Sequence, residues 1–409
     1  MSDIRFEGWL HRSGTGGVYQ DSAGNVGIAS TQPKTRLDIQ NGAFQIGPAG
    51  ICTAPAFIPS KGQLSHRNLV INGAMNVAQR STSESGLGAS AGYFTLDRYR
   101  TTFSSTAGRL TMAQVADVHD GFANAMKFTC TTADTSVGSN EYFILQQKFE
   151  GQDLQQLKKG TSDAEEFTVS FYVKGNASAT YVVEMYDLDN NRQVGKTFSV
   201  TTSWTRVVLT FPADTTGALD DDNNASLQLG IWLHAGSAYT SGTLATSWIS
   251  NVSAQRAGGI TSFFDSTDRT FFITGLQLEV GSVATPFEHR THADELARCS
   301  RYYQKIAEGN SKAIALCFHY STTYSDWVLQ YPMGPMRTNP SIDMVQGSNY
   351  YYLHGGSNSV YLDGAFIIEH GQITQSNVYF DPDGGLTAGG TGYLKTNNNS
   401  AYLAISAEL

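Results

Sequence analysis

Apolar and polar residues alternate through most of this chain, which is the pattern of half-buried strands. In the run 166–175, Phe167, Val169, Phe171 and Val173 alternate with Thr168, Ser170, Tyr172 and Lys174. Val207, Leu209 and Phe211 alternate with Arg206, Val208 and Thr210, and Leu227, Leu229, Ile231 and Leu233 with Gln228, Gly230, Trp232 and His234. One face of each run wants a core. In the run 269–280, Phe272, Thr274, Leu276, Leu278 and Val280 fall on one face, with Ile273, Gln277 and Glu279 on the other. The polar stretches 187–191 and 219–224 supply Asx-rich turn chemistry between such runs. Helical periodicity stands out once: Thr291 and Asp294 form the two ends of a capping box, and Leu296, Cys299, Tyr303 and Ile306 recur at spacings of three and four.

This pattern divides the chain into residues 1–67, 68–290, a connecting helix at 291–308, and 309–409. The first part holds short β-prone pieces, Asn25–Ile28, Arg36–Ile39 and Ala43–Ile46, between turns at Gly14–Gly17, Gly24–Asn25, Gln32–Pro33 and Asn41–Gly42. It has little means of burying a core alone. Seven or eight half-apolar strands in the second part satisfy their faces as two packed sheets, a β-sandwich. The last part carries β signals at Lys312–Tyr320, Ser325–Tyr331, Tyr350–Leu353, Val360–Leu362, Phe366–Glu369, Val378–Phe380 and Ala401–Ala407. The fold class is all-β with one short connecting helix.

Charged residues make up 15% of the chain, against roughly 25% in an ordinary soluble domain, so its solubility rests on Ser, Thr, Asn and Gln. With 27 Lys and Arg against 36 Asp and Glu, the net charge is −9, which gives no footprint for nucleic acid. No apolar run approaches the ~20 residues of a membrane-spanning helix, and an acidic protein is a poor ligand for anionic membranes. Residues 1–14 lack the apolar centre of a signal peptide, so cytoplasmic synthesis and assembly are expected. Cys52, Cys130, Cys299 and Cys317 are far apart and never in a CxxC pair, which favours buried thiols over zinc or disulfides.

Four ordered blocks resemble those of tail-fibre proteins of bacterial viruses, especially marine ones. They are NLVINGAMNVAQRSTSE with YFTLDRYR (68–84 and 93–100), TGLQLEVGSVATPFEHRTHADELARCSRYYQK (274–305), YPMGPMRTNPSI (331–342) and the closing Ala407-Glu408-Leu409. The resemblance implies a virion protein: a homotrimer with an N-terminal stem that attaches to a phage tail or capsid protein through residues 1–14, and a C-terminal tip at 309–409. The stretch GNVGIASTQPKTRLDI (24–39) is similar to stalk segments in which three chains share an axis. Residues 68–290 resemble the jelly-roll sandwich of carbohydrate-binding modules. The expected role is adsorption to a host-cell surface glycan or outer-membrane receptor. A head fibre, capsid decoration or tail connector that binds no receptor is an alternative, and a polysaccharide depolymerase is another.

No catalytic motif or cofactor signature is present, and the expectation is a non-enzyme without cofactor. Glu165-Glu166, Asp187/Asp189 and Asp220–Asp222 read as turn and solubility residues rather than a glycosidase pair. Asp187, Asp189 and Asn191 alternate as calcium ligands do but lack a later bidentate Glu, and His289 and His292 straddle the helix start, so no metal set is assigned. For sugar binding, chemistry asks for an aromatic face beside hydrogen-bonding groups. Tyr172, Lys174, Trp232 and His234 lie opposite the expected sandwich core. Trp327, Tyr350, Tyr351, Tyr352 and His354, beside Gly355-Gly356, give the tip its aromatic density. Either set is open to another role, packing on a neighbouring subunit or on a second sheet.

Overall fold

The computed structural model describes residues 8–10, 17–28, 37–39, 44–46, 52–53 and 65–409, apart from 356–358 and 383–384. The chain forms two compact units, 1–61 and 62–409. In the first, Gly8–Leu10, Gly17–Gln20, Val26–Ile28, Leu37–Ile39, Phe44–Ile46 and Cys52–Thr53 make one sheet in chain order. Val26–Ile28 and Leu37–Ile39 run parallel, and the other neighbours antiparallel. Val26–Ile28, Leu37–Ile39 and Phe44–Ile46 coincide with the expected β-prone pieces, and Gly8–Leu10, Gly17–Gln20 and Cys52–Thr53 are further strands. Most of residues 1–14, the turns at 32–33 and 41–42, and Gly356 lie outside the described residues.

Residues 83–280 form a jelly-roll sandwich of two antiparallel sheets. One carries, in order, Thr205–Phe211, Phe167–Gly175, Thr270–Val280, Ala125–Thr132, Arg109–Val115 and Ser83–Leu87. The other carries Ile249–Ser250, Arg192–Val200, Ala179–Asp187, Ala225–Ala235, Tyr142–Glu150, Arg100–Ser104 and Gly92–Tyr93. The expected inward sets fill the space between the sheets. Phe167, Val169, Phe171, Val173, Leu227, Leu229, Ile231 and Leu233 all belong to one buried cluster.

The strand Thr270–Val280 departs from the expected single alternation. Gly275 has φ +64°, and the register against the neighbouring strand slips between Ser170 and Tyr172. This bulge inserts one residue, so the inward set is Phe271 and Ile273 before it and Leu276 and Leu278 after it. Phe272, expected inward, sits on the outer face, with the Lys174 ammonium 4.8 Å from its ring centre.

The helix His292–Ser300 begins as its sequence dictates: Thr291 Oγ1 accepts from the Asp294 amide at 3.2 Å. It ends eight residues before the expected boundary at 308. Tyr303 and Ile306 belong instead to the strand Tyr303–Glu308, which pairs with Tyr402–Ser406. Strand pairing and burial of Tyr303 prevail over the helical spacing.

After the helix, Tyr303–Glu308, Tyr402–Ser406 and Ser341–Met344 form a three-stranded sheet. A seven-stranded sheet follows the order Ser359–Leu362, Tyr351–Gly355, Thr391–Thr396, Ala313–His319, Ser325–Gln330, Gln375–Phe380, Ile367–Gly371. A second core containing Trp327, Tyr351, Leu353, Val378, Leu394, Leu403 and Ile405 lies between them. Cys130, Cys299 and Cys317 are buried free thiols.

Candidate functional site

The expected aromatic candidates separate by burial. Trp232 and His234 are fully buried, because residues 236–262 fold back over the outer face of their sheet. Tyr239, Leu244, Ala257 and Ile260 close a small apolar cluster on Trp232, whose indole N–H donates to Glu184 Oε2 at 2.9 Å. Arg256 binds Glu184 through two nitrogens at 2.7 Å, leaving no open stacking face there. Tyr172 is covered by the 116–124 loop, its ring stacked on His119 at 4.0 Å, while Lys174 donates to Asp117 at 2.6 Å. Trp327 and Tyr351 are core residues, and the Tyr351 hydroxyl donates to Tyr402 O at 2.6 Å. Tyr350 is half-buried against that core. For Trp232, His234, Trp327 and Tyr351 the expected exposed role is thus corrected. Alternation along one strand fixes which residues share a face, but not what a distant loop lays over it.

Tyr352 and His354 remain on an open surface, the outer face of the seven-stranded sheet. Antiparallel register builds it: Tyr361 lies opposite Tyr352, which lies opposite Lys395. In the next row His354 lies opposite Tyr393, which lies opposite Leu316. A third row runs Phe318, Asp326, Tyr379, Ile367. The Tyr352 ring is 5.0 Å from that of Tyr361 and 6.2 Å from His354, with the Lys395 ammonium 5.1 Å from its centre. Leu316 is 80% exposed, Val328 57% and Phe318 49%, an apolar extent that soluble monomers rarely leave bare without a use.

Polar groups edge this face. Glu369 Oε2 accepts from the Tyr324 hydroxyl and from Asn377 Nδ2, each at 3.2 Å, and Tyr324 stacks on Tyr379 at 5.0 Å. Burial and the Glu369 contact push the Tyr324 phenol up to about 12, so it stays a neutral donor. Rings that take the C–H side of a pyranose thus stand beside donors and acceptors for its hydroxyls. Sequence reading missed Tyr361, Tyr393, Lys395, Leu316 and Phe318. Their alternation was legible, but only the cross-strand pairing brings them to Tyr352.

Of the carboxylates expected in turn and solubility roles, Asp187 is an exception at the end of the strand Ala179–Asp187. Asp187 is buried and binds Lys159 at 2.5 Å, which removes it from any calcium set, and Asp189 Oδ2 accepts from the Asp220 amide at 3.0 Å. His289 packs on Phe287 and Phe122 at 4.9 and 5.3 Å.

No protein-family model and no curated protein matches this sequence. Among solved structures, about half of the chain is similar to several small modules. One, described as "CBM4 structure and function", is 13% identical with a TM-score of 0.27, over 51% of this chain and 97% of the other. A family 61 carbohydrate-binding module in complex with β-1,4-galactotriose is 12% identical with a TM-score of 0.27, over 52% and 99%. The enzymatically active domain of tailspike protein 4 of bacteriophage CBA120 is 12% identical with a TM-score of 0.29. That match spans 52% of this chain and 21% of the tailspike chain.

Proposed function

We propose that this chain is a non-enzymatic virion fibre protein that adsorbs to a cell-surface polysaccharide through the outer face of its C-terminal seven-stranded sheet. The observation that carries the reading is the outer row of Tyr361, Tyr352 and Lys395, with His354 and Tyr393 beside it. The fibre assignment rests on the resemblance of the four sequence blocks. A trimer would present three such faces, and effective concentration then lets each weak site contribute to a strong attachment.

The test is competition for adsorption by the purified protein, in parallel with a Tyr352→Ala/Tyr361→Ala double variant. Both rings are at least partly exposed, so the variant should keep its melting temperature while losing about tenfold or more in competition. A variant that competes like the wild type removes this face from the site. A wild-type protein that does not compete leaves a head fibre, decoration or connector as the better account. Reducing ends released from host polysaccharide would establish a depolymerase instead.

Leu316 and Val328 favour a second reading of the same sheet, because stacking a sugar on aromatic rings needs no such exposed aliphatic centre. A second copy of this chain seated there would bury Leu316 and Val328. Leu316→Lys would then lower the oligomeric mass seen in sedimentation, whereas a glycan site leaves it unchanged.

A further inference from the structure

Asp134, Glu141 and His234 come together at one end of the sandwich, each offering a ligand atom within 4.8 Å of the others, and all three are buried. They arrive from different parts of the chain. Asp134 follows the strand Ala125–Thr132 of one sheet, Glu141 precedes Tyr142–Glu150 of the other, and His234 lies near the end of its neighbour Ala225–Ala235.

Two of the three groups are held from behind. Asp134 Oδ2 accepts from Thr106 Oγ1 and from the Ala107 amide, both at 2.8 Å. His234 Nδ1 lies 2.7 Å from Ser262 Oγ, which also accepts from the Phe264 amide at 3.0 Å. His234 Nε2 faces Glu141 Oε2 at 3.4 Å. Outer hydrogen bonds of this kind orient ligands and fix the imidazole tautomer around an ion.

The charge balance sets this cluster apart. Several buried carboxylates elsewhere meet a cation: Glu150 meets Arg301, Glu184 meets Arg256, Asp187 meets Lys159, and Asp214 meets Arg192, while Asp97 and Glu279 are single carboxylates held by hydrogen bonds. Among the described residues, no Arg or Lys lies within ion-pair distance of Asp134 or Glu141, and His234 is the sole basic group facing them. Two carboxylates thus converge on a single imidazole with no Arg or Lys to balance them.

We propose that Asp134, Glu141 and His234 bind a divalent transition-metal ion of the zinc class that ties the two sheets together at this end. Two oxygens and one imidazole nitrogen suit such an ion, with water in the fourth position, whereas calcium prefers oxygen ligands alone.

The test titrates ZnCl2 into chelator-treated full-length protein by calorimetry, with CaCl2 as a second arm. It is repeated on Glu141→Gln and His234→Gln. One zinc should bind per chain and raise the melting temperature, because an ion that binds only the folded state stabilises it by mass action. Each variant should weaken binding about tenfold or more. Cobalt bound to the wild type should give the intense visible bands of a four-coordinate site, a readout that survives even if a variant misfolds. Equal zinc uptake by wild type and His234→Gln, a preference for calcium, or a weak octahedral cobalt spectrum would overturn the proposal.

Discussion

Asp97 shows how a single buried side chain couples this protein to pH. It is fully buried, its Oδ1 accepts from the Gln79 amide at 2.8 Å, and its Oδ2 accepts from Gln79 Nε2 at 2.5 Å. Burial raises its pKa to about 6, against the opposing pull of Arg80 and Gln79. A carboxyl whose folded pKa is raised stabilises the fold below its ordinary value near 3.8, and that contribution is lost as pH rises through about 6. Relative to Asp97→Asn, the wild type should therefore lose as much as about 3 kcal/mol of unfolding free energy between pH 4 and 7, read by denaturant titration at each pH. An equal pH profile for the two proteins would show that the carboxyl keeps its ordinary pKa in the folded state. Trp232 marks the matching limit of sequence reading at this scale. Its outward position was legible from alternation, but its burial depends on Tyr239, Leu244 and Ala257, which no local pattern connects to it.

At the scale of elements, Gly275 decides how the strand Thr270–Val280 serves both halves of its sheet. Its φ of +64° is one that residues with a side chain adopt at a cost, and a Cβ there would stand 2.6 Å from Phe122 Cζ and 3.0 Å from Tyr172 Cδ2. Gly275→Ala should cost about 2–3 kcal/mol, from left-handed backbone strain plus displacement of Phe122, measured as a lowered urea midpoint at unchanged m-value. An effect below about 0.5 kcal/mol would mean the bulge relaxes freely. The strands Phe167–Gly175 and Ala225–Ala235, one in each sheet, were readable because their apolar residues alternate without interruption. The bulge was not, because one inserted residue reverses the faces and leaves an alternation that looks regular from either end. The helix failed at its C-terminal end for a related reason. Cys299, Tyr303 and Ile306 fit a helical stripe, yet Tyr303 and Ile306 lie on a strand whose partner, Tyr402–Ser406, lies about a hundred residues away. The metal cluster was invisible in the same way, since His234 and Glu141 are separated by 93 positions.

Across the second unit, the four sequence blocks that carry the fibre resemblance meet in one buried junction between the sandwich and the C-terminal sheets. Arg98, from the second stretch of the first block, is 1% exposed, binds Glu408 and lies with its guanidinium 3.5 Å from the centre of the Tyr302 ring. Arg80 pairs with Glu408 at 3.2 Å and lies over Tyr303 at 3.7 Å. Arg337 donates to Ala407 O at 2.8 Å and to Asn223 O at 2.7 Å, and Tyr93 donates to Leu409 O at 2.7 Å. The residues most recognisable in sequence thus build the joint, while the candidate binding face is made of residues outside those blocks. The joint thereby ties the sandwich to the C-terminal sheets. It also predicts cooperativity. Glu408→Gln leaves the Arg98 guanidinium buried without its counter-charge, a loss of about 3–5 kcal/mol. Because Glu408 and Tyr302 both meet that guanidinium, hydrogen exchange should quicken both in 95–100 of the sandwich and in Tyr303–Glu308 of the C-terminal sheet, and residues 62–409 should still unfold in one transition. Faster exchange confined to the last three residues, or two separate transitions in the wild type, would show that the halves fold independently and that the junction is only a contact.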